Sequence, residues 1–340
     1  MAPRIICVVG ATGNQGGSVG RRFAQDDRFK VRALTRNTAS PSAQKLASEY
    51  PGIELITADL EDVKSLEIAF KGANVIFSVT DYWEPFFRPD CRQEAHEIGI
   101  SCRKYAYDVE YRHGKNIADA AATTVRTLDE NGFLVSTLSH ARKCSGGEYK
   151  QLYHFDAKAD VFPDYVKERY PALARKMSCI QTGYFMTSYR ILPDSYLAKQ
   201  SDGSFQTRFP TTPDKPTFHL DVNADTGNFV YAVAQMPAGN HYMACGTTCT
   251  WSEYMRLWSK VTGMSGTYKQ VTPQQMIDVT PDKPCGEEVA DMWSYTSNPG
   301  YDGGMELLFA DDVRKAGIDC PMTTLEEWMA NHDWSAVLNK

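Results

Sequence analysis

The sequence predicts an α/β fold in which a parallel sheet carries helices on both faces and a smaller C-terminal α/β lobe follows it. Three observations predict it. Short β-branched and apolar runs alternate with helical stretches through the first half of the 340-residue chain, the pattern of βαβ units. The first run leads straight into a glycine-rich turn, Gly10-Ala11-Thr12-Gly13-Asn14-Gln15-Gly16-Gly17. After about Thr182 the alternation stops, and short strands and an irregular stretch marked by Pro210, Pro213 and Pro216 replace it.

Taken in order, the strands expected are Arg4–Val9, Lys30–Leu34, Ile53–Thr57, Val75–Ser78, Gly132–Thr137 and Met177–Thr182. The helices between them are Gly16–Gln25, Ser42–Tyr50, Val63–Phe70 and Arg112–Asn131, with the short connections that βαβ units require. In the second half Asp202-Gly203 reads as a hairpin turn. Trp251–Thr262 is amphipathic, with Trp251, Tyr254, Met255 and Trp258 on one side, and the Gly-rich 297–304 stretch is a loop. The expected division is a nucleotide-binding domain over residues 1–182. Residues 183–340 then form a smaller substrate or partner lobe, with some segments returning to the main sheet.

Composition excludes several classes. Apolar residues at 42% and charged residues at 23% place the chain among ordinary globular proteins rather than disordered ones. The 36 basic and 42 acidic residues give a net charge of -6 without a basic block, so a direct nucleic-acid binder is not expected. No apolar run approaches the ~20 residues of a membrane helix. The N-terminus enters a strand directly, without the pattern of a signal peptide. Nine cysteines are scattered without a zinc-finger spacing or a disulfide framework, so thiols in a reducing cytoplasm and no metal are expected. A regulatory protein of this kind would also enter the nucleus.

The glycine loop carries the most specific signal. It follows a strand and opens a helix, the context that gives the three-glycine pattern its meaning in a Rossmann-type fold. Gly10 allows the sharp turn, Gly13 lets backbone approach a pyrophosphate, and Gly16 lets helix and strand pack closely. Thr12, Asn14 and Gln15 complete the cradle, where free N–H groups and the helix dipole favour phosphate. Twenty residues beyond Gly16 stands Arg36. An acidic residue there would accept from a ribose 2′-hydroxyl, whereas a guanidinium suits a 2′-phosphate, so NADP(H) is the expected cofactor. Asp59 and Leu60 end the third strand, and Asp59 serves either the adenine or the cap of the next helix. Thr80 ends the fourth.

The segments GATGNQGG, TADLEDVKSLEIAFKGANVIFSVT, HFDAKADV, TGYFMTSY and DVNADTGNFVYAV occur in that order. With them the chain resembles the NmrA-like family, atypical short-chain dehydrogenase/reductases widespread in fungi and related to isoflavone reductase-like enzymes. The resemblance runs from Ile5 to about Trp258. It implies the fold and a bound dinucleotide. The family includes both a regulator that binds dinucleotides without turnover and relatives that transfer hydride. Where the larger superfamily carries Tyr-x-x-x-Lys, this chain has His154 four residues before Lys158, and Tyr153 lies five before it. Residues four apart share a helix face, so His154 and Lys158 point into one cleft and Tyr153 points away. The resemblance implies that Lys158 holds the cofactor and assists catalysis. His154 and Tyr184 are the two alternatives for the proton donor. Ser136 and Thr137 fall where the superfamily's serine lies, and Gly183, Tyr184 and Phe185 form the family's turn after the sixth strand.

Aromatic residues crowd the positions beyond the cofactor. Tyr82, Trp83, Phe86, Phe87, Met186, Trp293, Tyr295 and Tyr301 are the expected substrate wall, suited to a flat aromatic or polycyclic ligand. Two function classes follow. The favoured one is an NADP(H)-dependent oxidoreductase acting on a carbonyl, alkene or imine of an aromatic small molecule, in fungal secondary metabolism. The other is a non-catalytic NADP(H) sensor that binds a protein partner. Either would act as a monomer or a homodimer.

Overall fold

Alternation along each strand decides the layers of this protein. In a computed structural model, which describes residues 2–339, β1 (Arg4–Val8) sends Ile6 and Val8 to one face of a sheet and Cys7 to the other. The strands β2 (Phe29–Thr35), β3 (Ile53–Thr57), β4 (Val75–Ser78), β5 (Phe133–Thr137) and β6 (Met177–Thr182) repeat this two-sided burial. The first face packs Val19 and Phe23 of helix Asn14–Phe23 and Phe229, Val230 and Val233 of helix Asp225–Val233. The second packs Leu66 and Phe70 of helix Val63–Phe70 and Ile117, Ala118 and Ala121 of helix Cys102–Thr123.

The chain continues through β7 (Tyr184–Phe185), β8 (Ala198–Lys199), β9 (Phe205–Phe209), β10 (Thr217–Leu220), β11 (His241–Ala244), β12 (Thr247–Cys249) and β13 (Gly266–Gln270). Strand β11 returns to the main sheet and pairs parallel with β6, giving seven parallel strands in the order β11-β6-β5-β4-β1-β2-β3. The order reverses between β1 and β4, so the crevice beyond their carboxyl ends is the natural ligand site. The other strands form two small sheets, β12-β10-β7 and β13-β9-β8. Over them lies a separate aromatic core that includes Phe209, Trp251, Trp258 and Trp293.

The expected strands are present within two residues at each end, and Val63–Phe70 and Trp251–Thr262 match their helices. One helix is displaced. The segment expected from Arg112 to Asn131 begins at Cys102, where the Ser101 hydroxyl accepts from the Lys104 N–H at 3.1 Å. It ends at Thr123, beyond which Thr124 and Thr127 bond each other at 2.9 Å. Its first turns conceal their apolar stripe because Arg103 and Glu110 occupy buried positions on it. Asp59 does not cap the following helix. Asp62 does, accepting from the Lys64 N–H at 3.0 Å.

Helices Asn14–Phe23 and Asp225–Val233 touch through Gly227, whose N–H donates to the Ser18 hydroxyl at 2.9 Å. A Cβ at Gly227 would fall 2.3 Å from the Ser18 carbonyl oxygen. Gly227→Ala is therefore expected to part these helices and cost about 2–3 kcal/mol, read as a lower denaturant midpoint with unchanged far-UV circular dichroism.

Candidate functional site

A single cavity of about 1010 Å³ runs across the carboxyl ends of the strands. At one end stands the glycine loop. Gly10 turns through a left-handed conformation at φ 64°. A Cβ at Gly16 would lie 2.3 Å from the Gly10 carbonyl oxygen, so only glycine lets the helix start this close to the strand. Gly13 caps helix Asn14–Phe23 without any side-chain hydrogen bond, and no acidic residue occupies the first turn. Its leading N–H groups are thus left for an anion. The Gln15 side-chain oxygen is buried and unpartnered beside them.

Every residue expected to hold the dinucleotide lines this cavity: Gly10, Thr12, Gly13, Asn14, Gln15, Gly16, Arg36, Asp59, Leu60, Thr80, Ser136, Thr137, Lys158, Gly183, Tyr184 and Phe185. Arg36 extends from the end of β2 with 65% of its side chain exposed, and Asp59 spends one oxygen on the Glu61 N–H at 3.0 Å. Among substrate-wall residues, Tyr82, Trp83, Phe87, Trp293 and Tyr301 line the cavity.

Phe86, Met186 and Tyr295 do not. Phe86 is fully buried against Tyr82 and Trp83 under the Arg92 guanidinium. Met186 is buried in the lobe's core, its N–H bonded to the Leu220 carbonyl at 2.9 Å. Trp293 and Tyr295 are two residues apart on helix Lys283–Ser297, so they point about 200° apart. With Trp293 in the cavity, Tyr295 turns away to bond the Ser139 hydroxyl at 2.9 Å. The stripe that does face the cavity is Cys285, Val289, Met292 and Trp293, whose helical spacing was available in the sequence.

Midway along the cavity, helix Tyr153–Ala159 presents His154 and Lys158. Tyr153 instead packs against Tyr107 and Arg103. Lys158 Nζ forms a short ion pair with Glu110 Oε1 and reaches the Thr80 carbonyl at 3.3 Å. The Thr80 hydroxyl donates to the same Glu110 oxygen at 2.7 Å, and Glu110 Oε2 is buried without a partner. His154 is held just as firmly. Glu288, with a fully buried side chain, accepts from His154 Nδ1 at 2.7 Å and from its backbone N–H at 2.9 Å. Arg103 Nε donates to the other Glu288 oxygen at 2.6 Å, and Arg103 Nη2 donates to Asp291 at 2.7 Å. Burial alone would push the Glu288 carboxyl up, but the bonds from His154 and the Arg103 charge outweigh it and hold it below its ordinary value. An ionised Glu288 fixes the proton on Nδ1 and leaves Nε2 as the nitrogen open to a ligand.

Tyr184 contributes a ring rather than a hydroxyl. Its O–H shares a hydrogen bond with Thr296 at 2.7 Å, the ring stacks on Trp293, and burial raises its pKa well above 10. Glu110, Glu288 and Arg103 had escaped the sequence reading. Their signal was present as charged residues inside apolar helical stripes.

The chain belongs to the NmrA-like family. That family's model matches residues 3–329. An NmrA-like family domain-containing oxidoreductase of Aspergillus hancockii is 27% identical over 293 residues, 81% of this chain and 77% of the relative. Among solved structures, the negative transcriptional regulator NmrA in complex with NADP superposes with a TM-score of 0.69 at 20% identity, covering 97% of this chain and 95% of that one. An NADPH-dependent quinone oxidoreductase of Escherichia coli, complexed with NADPH, gives 0.64 at 18%, covering 96% and 98%. These likenesses establish the fold. Among the described residues no helix is long and apolar enough to cross a membrane.

A second charged cluster ties β5 to the same helix. His140 lies 2.9 Å from Asp156 and 3.1 Å from Asp160, and Tyr107 donates to Asp160 at 2.7 Å. His140, Asp160 and Asp164 come close enough together to ligate a metal, but Lys143 already pairs with Asp164. Burial would lower the His140 pKa, yet its bonds to Asp156 and Asp160 raise it to about 9. A raised folded-state pKa stabilises fully below the unfolded value near 6.5 and ceases to do so as pH rises through about 9. Melting temperature is expected to fall over that interval by an amount equivalent to at most about 3 kcal/mol. His140→Asn should flatten the decline.

Proposed function

We propose that this protein is an NADP(H)-dependent oxidoreductase that transfers hydride to or from a carbonyl, alkene or imine of a flat aromatic molecule. The observation that carries the reading is the continuity of the cavity. The uncapped helix start, Arg36, Lys158, His154 and aromatic side chains all line one cavity. The uncapped helix start and the close-packed glycine cradle fit a dinucleotide pyrophosphate. Arg36 suits the 2′-phosphate. When bound, the cofactor supplies or accepts the hydride.

The chain's own residues do the rest. Lys158, fixed by Glu110 and Thr80, is placed to hold the nicotinamide ribose hydroxyls. His154 Nε2 exchanges a proton with the substrate heteroatom, while Glu288 stabilises the charged imidazole that the exchange requires. Tyr82, Trp83, Tyr184 and Trp293 exclude water and orient a flat ring system. The oxidoreductase names of curated relatives support this reading. A regulatory reading, dinucleotide binding coupled to a protein partner without turnover, is favoured by a different observation. Among the described residues no tyrosine hydroxyl is bonded to Lys158, unlike the Tyr-x-x-x-Lys arrangement.

The reading is tested by titrating NADPH and NADH and then following NADPH oxidation with a panel of aromatic carbonyls, enones and imines. Tighter NADPH binding and turnover of at least one panel member are expected. NADPH binding without turnover, together with a partner captured only in the presence of cofactor, would transfer the assignment to the regulator. In the active enzyme, His154→Gln should lower kcat for carbonyl reduction by about 100-fold with little change in NADPH affinity. Glu288→Gln should lower kcat as well, because the carboxylate that fixes the proton on His154 Nδ1 is gone.

A further inference from the structure

Arg36 does not stand alone at its end of the cavity. Its Nη2 lies 3.6 Å from Glu84 Oε1, and the same oxygen lies 3.4 Å from Arg88 Nη1. All three residues line the cavity. They come from opposite walls. Arg36 follows β2, whereas Glu84 belongs to helix Trp83–Phe87 and Arg88 caps it, beyond β4. Strands β2 and β4 flank β1 on either side, so the Arg36–Glu84 pair bridges the two walls beside the glycine loop that β1 feeds. The bridge is positioned from below: Asp81 accepts from the Trp83 N–H at 2.9 Å and from the Glu84 N–H at 3.3 Å, setting the start of this short helix.

Two guanidinium groups converge on one carboxylate oxygen at distances longer than a tight charge-assisted hydrogen bond, Arg88 through Nη1 while its Nε donates to Asp90 at 2.9 Å. A dianionic phosphate presents more oxygens and more charge than a carboxylate, and two planar forks suit it better. We propose that Arg36 and Arg88 together form the subsite for the cofactor's 2′-phosphate. In this arrangement Glu84 occupies that subsite as an internal anion, and the phosphate displaces it. The inference rests on the NADP(H) reading above. It makes Glu84 an internal competitor for the phosphorylated cofactor alone: a dinucleotide without the 2′-phosphate does not use the subsite that the carboxylate fills. The fraction of molecules with Glu84 in place lowers the apparent affinity for the phosphorylated cofactor.

The experiment measures dissociation constants of NADPH, NADH and 2′,5′-ADP for the wild-type protein, Glu84→Gln and Arg88→Gln, at fixed ionic strength. The Glu84 and Arg88 side chains are 36% and 45% exposed, so both variants should fold, which circular dichroism and thermal melting check. Glu84→Gln is expected to tighten NADPH and 2′,5′-ADP about five- to tenfold, and Arg88→Gln to weaken both about tenfold, with NADH unmoved in each case. If wild-type protein prefers NADPH but neither variant changes the NADPH-to-NADH ratio, the inference is overturned while the cofactor reading stands. Equal shifts for NADPH and NADH overturn it as well. If wild-type protein shows no preference for NADPH, the cofactor reading falls and takes the inference with it.

Discussion

Buried charge pairing on helix Tyr153–Ala159 is the constraint on which the rest of the site depends. A lysine and a histidine four residues apart are set into a region where neither could be held in place by water. Each meets a carboxylate from a different helix, Glu110 from Cys102–Thr123 and Glu288 from Lys283–Ser297. Removing one partner of such a pair leaves an uncompensated buried ion and costs about 3–5 kcal/mol, so the pairs act as registration pins. Arg103 and Glu110 are seven residues apart on one helix and so lie on one face of it. Arg103 holds His154 through Glu288, and Glu110 holds Lys158 directly, so one helix face fixes both. The Glu288 helix also supplies Trp293 to the aromatic wall. The same contacts that seat the polar groups therefore seat the apolar ones.

The parallel sheet decides where this assembly can stand. Reversal of strand order between β1 and β4 opens a crevice at their carboxyl ends. The glycine loop and Thr80 emerge at that point, and β5 and β6 deliver Ser136, Thr137 and Gly183 alongside. The sheet thus positions backbone groups, which suit phosphates and ribose. It does not supply the apolar cover. That comes from Tyr82, Trp83 and Phe87 beyond β4, from the segment after Thr182 and from helix Lys283–Ser297, elements that share a core rich in aromatic rings.

The division explains what was legible in the sequence. Backbone-built features announce themselves through glycine, β-branched runs and fixed spacings, and that Gly10, Gly13, Gly16 and Arg36 line one cavity could be read from them. Side-chain-built features depend on which face of a helix turns inward. Trp293 and Tyr295 look equivalent in composition, but helical geometry admits only one of them. Glu110 and Glu288 were illegible for a related reason. A carboxylate in an apolar stripe looks like an interruption of the pattern until its cation, 48 residues away for Glu110 and 134 for Glu288, is brought to it. The displaced start of helix Cys102–Thr123 is the same effect, since the buried Arg103 and Glu110 mask its periodicity.

This arrangement separates two properties that a dehydrogenase fold ordinarily joins. Dinucleotide binding is proposed to rest on the glycine loop, the uncapped helix start and Arg36, none of which touches the His154–Glu288 pair. The setting of His154 rests on Glu288 and Arg103, side chains that the Rossmann framework does not require. Loss of Glu288 or of its arginine would abolish the setting of His154 while leaving the cofactor end intact. A family built on this plan can therefore hold both hydride-transferring members and members that only sense the dinucleotide. In this chain the buried, ionised Glu288 on His154 is the feature on which the oxidoreductase proposal draws.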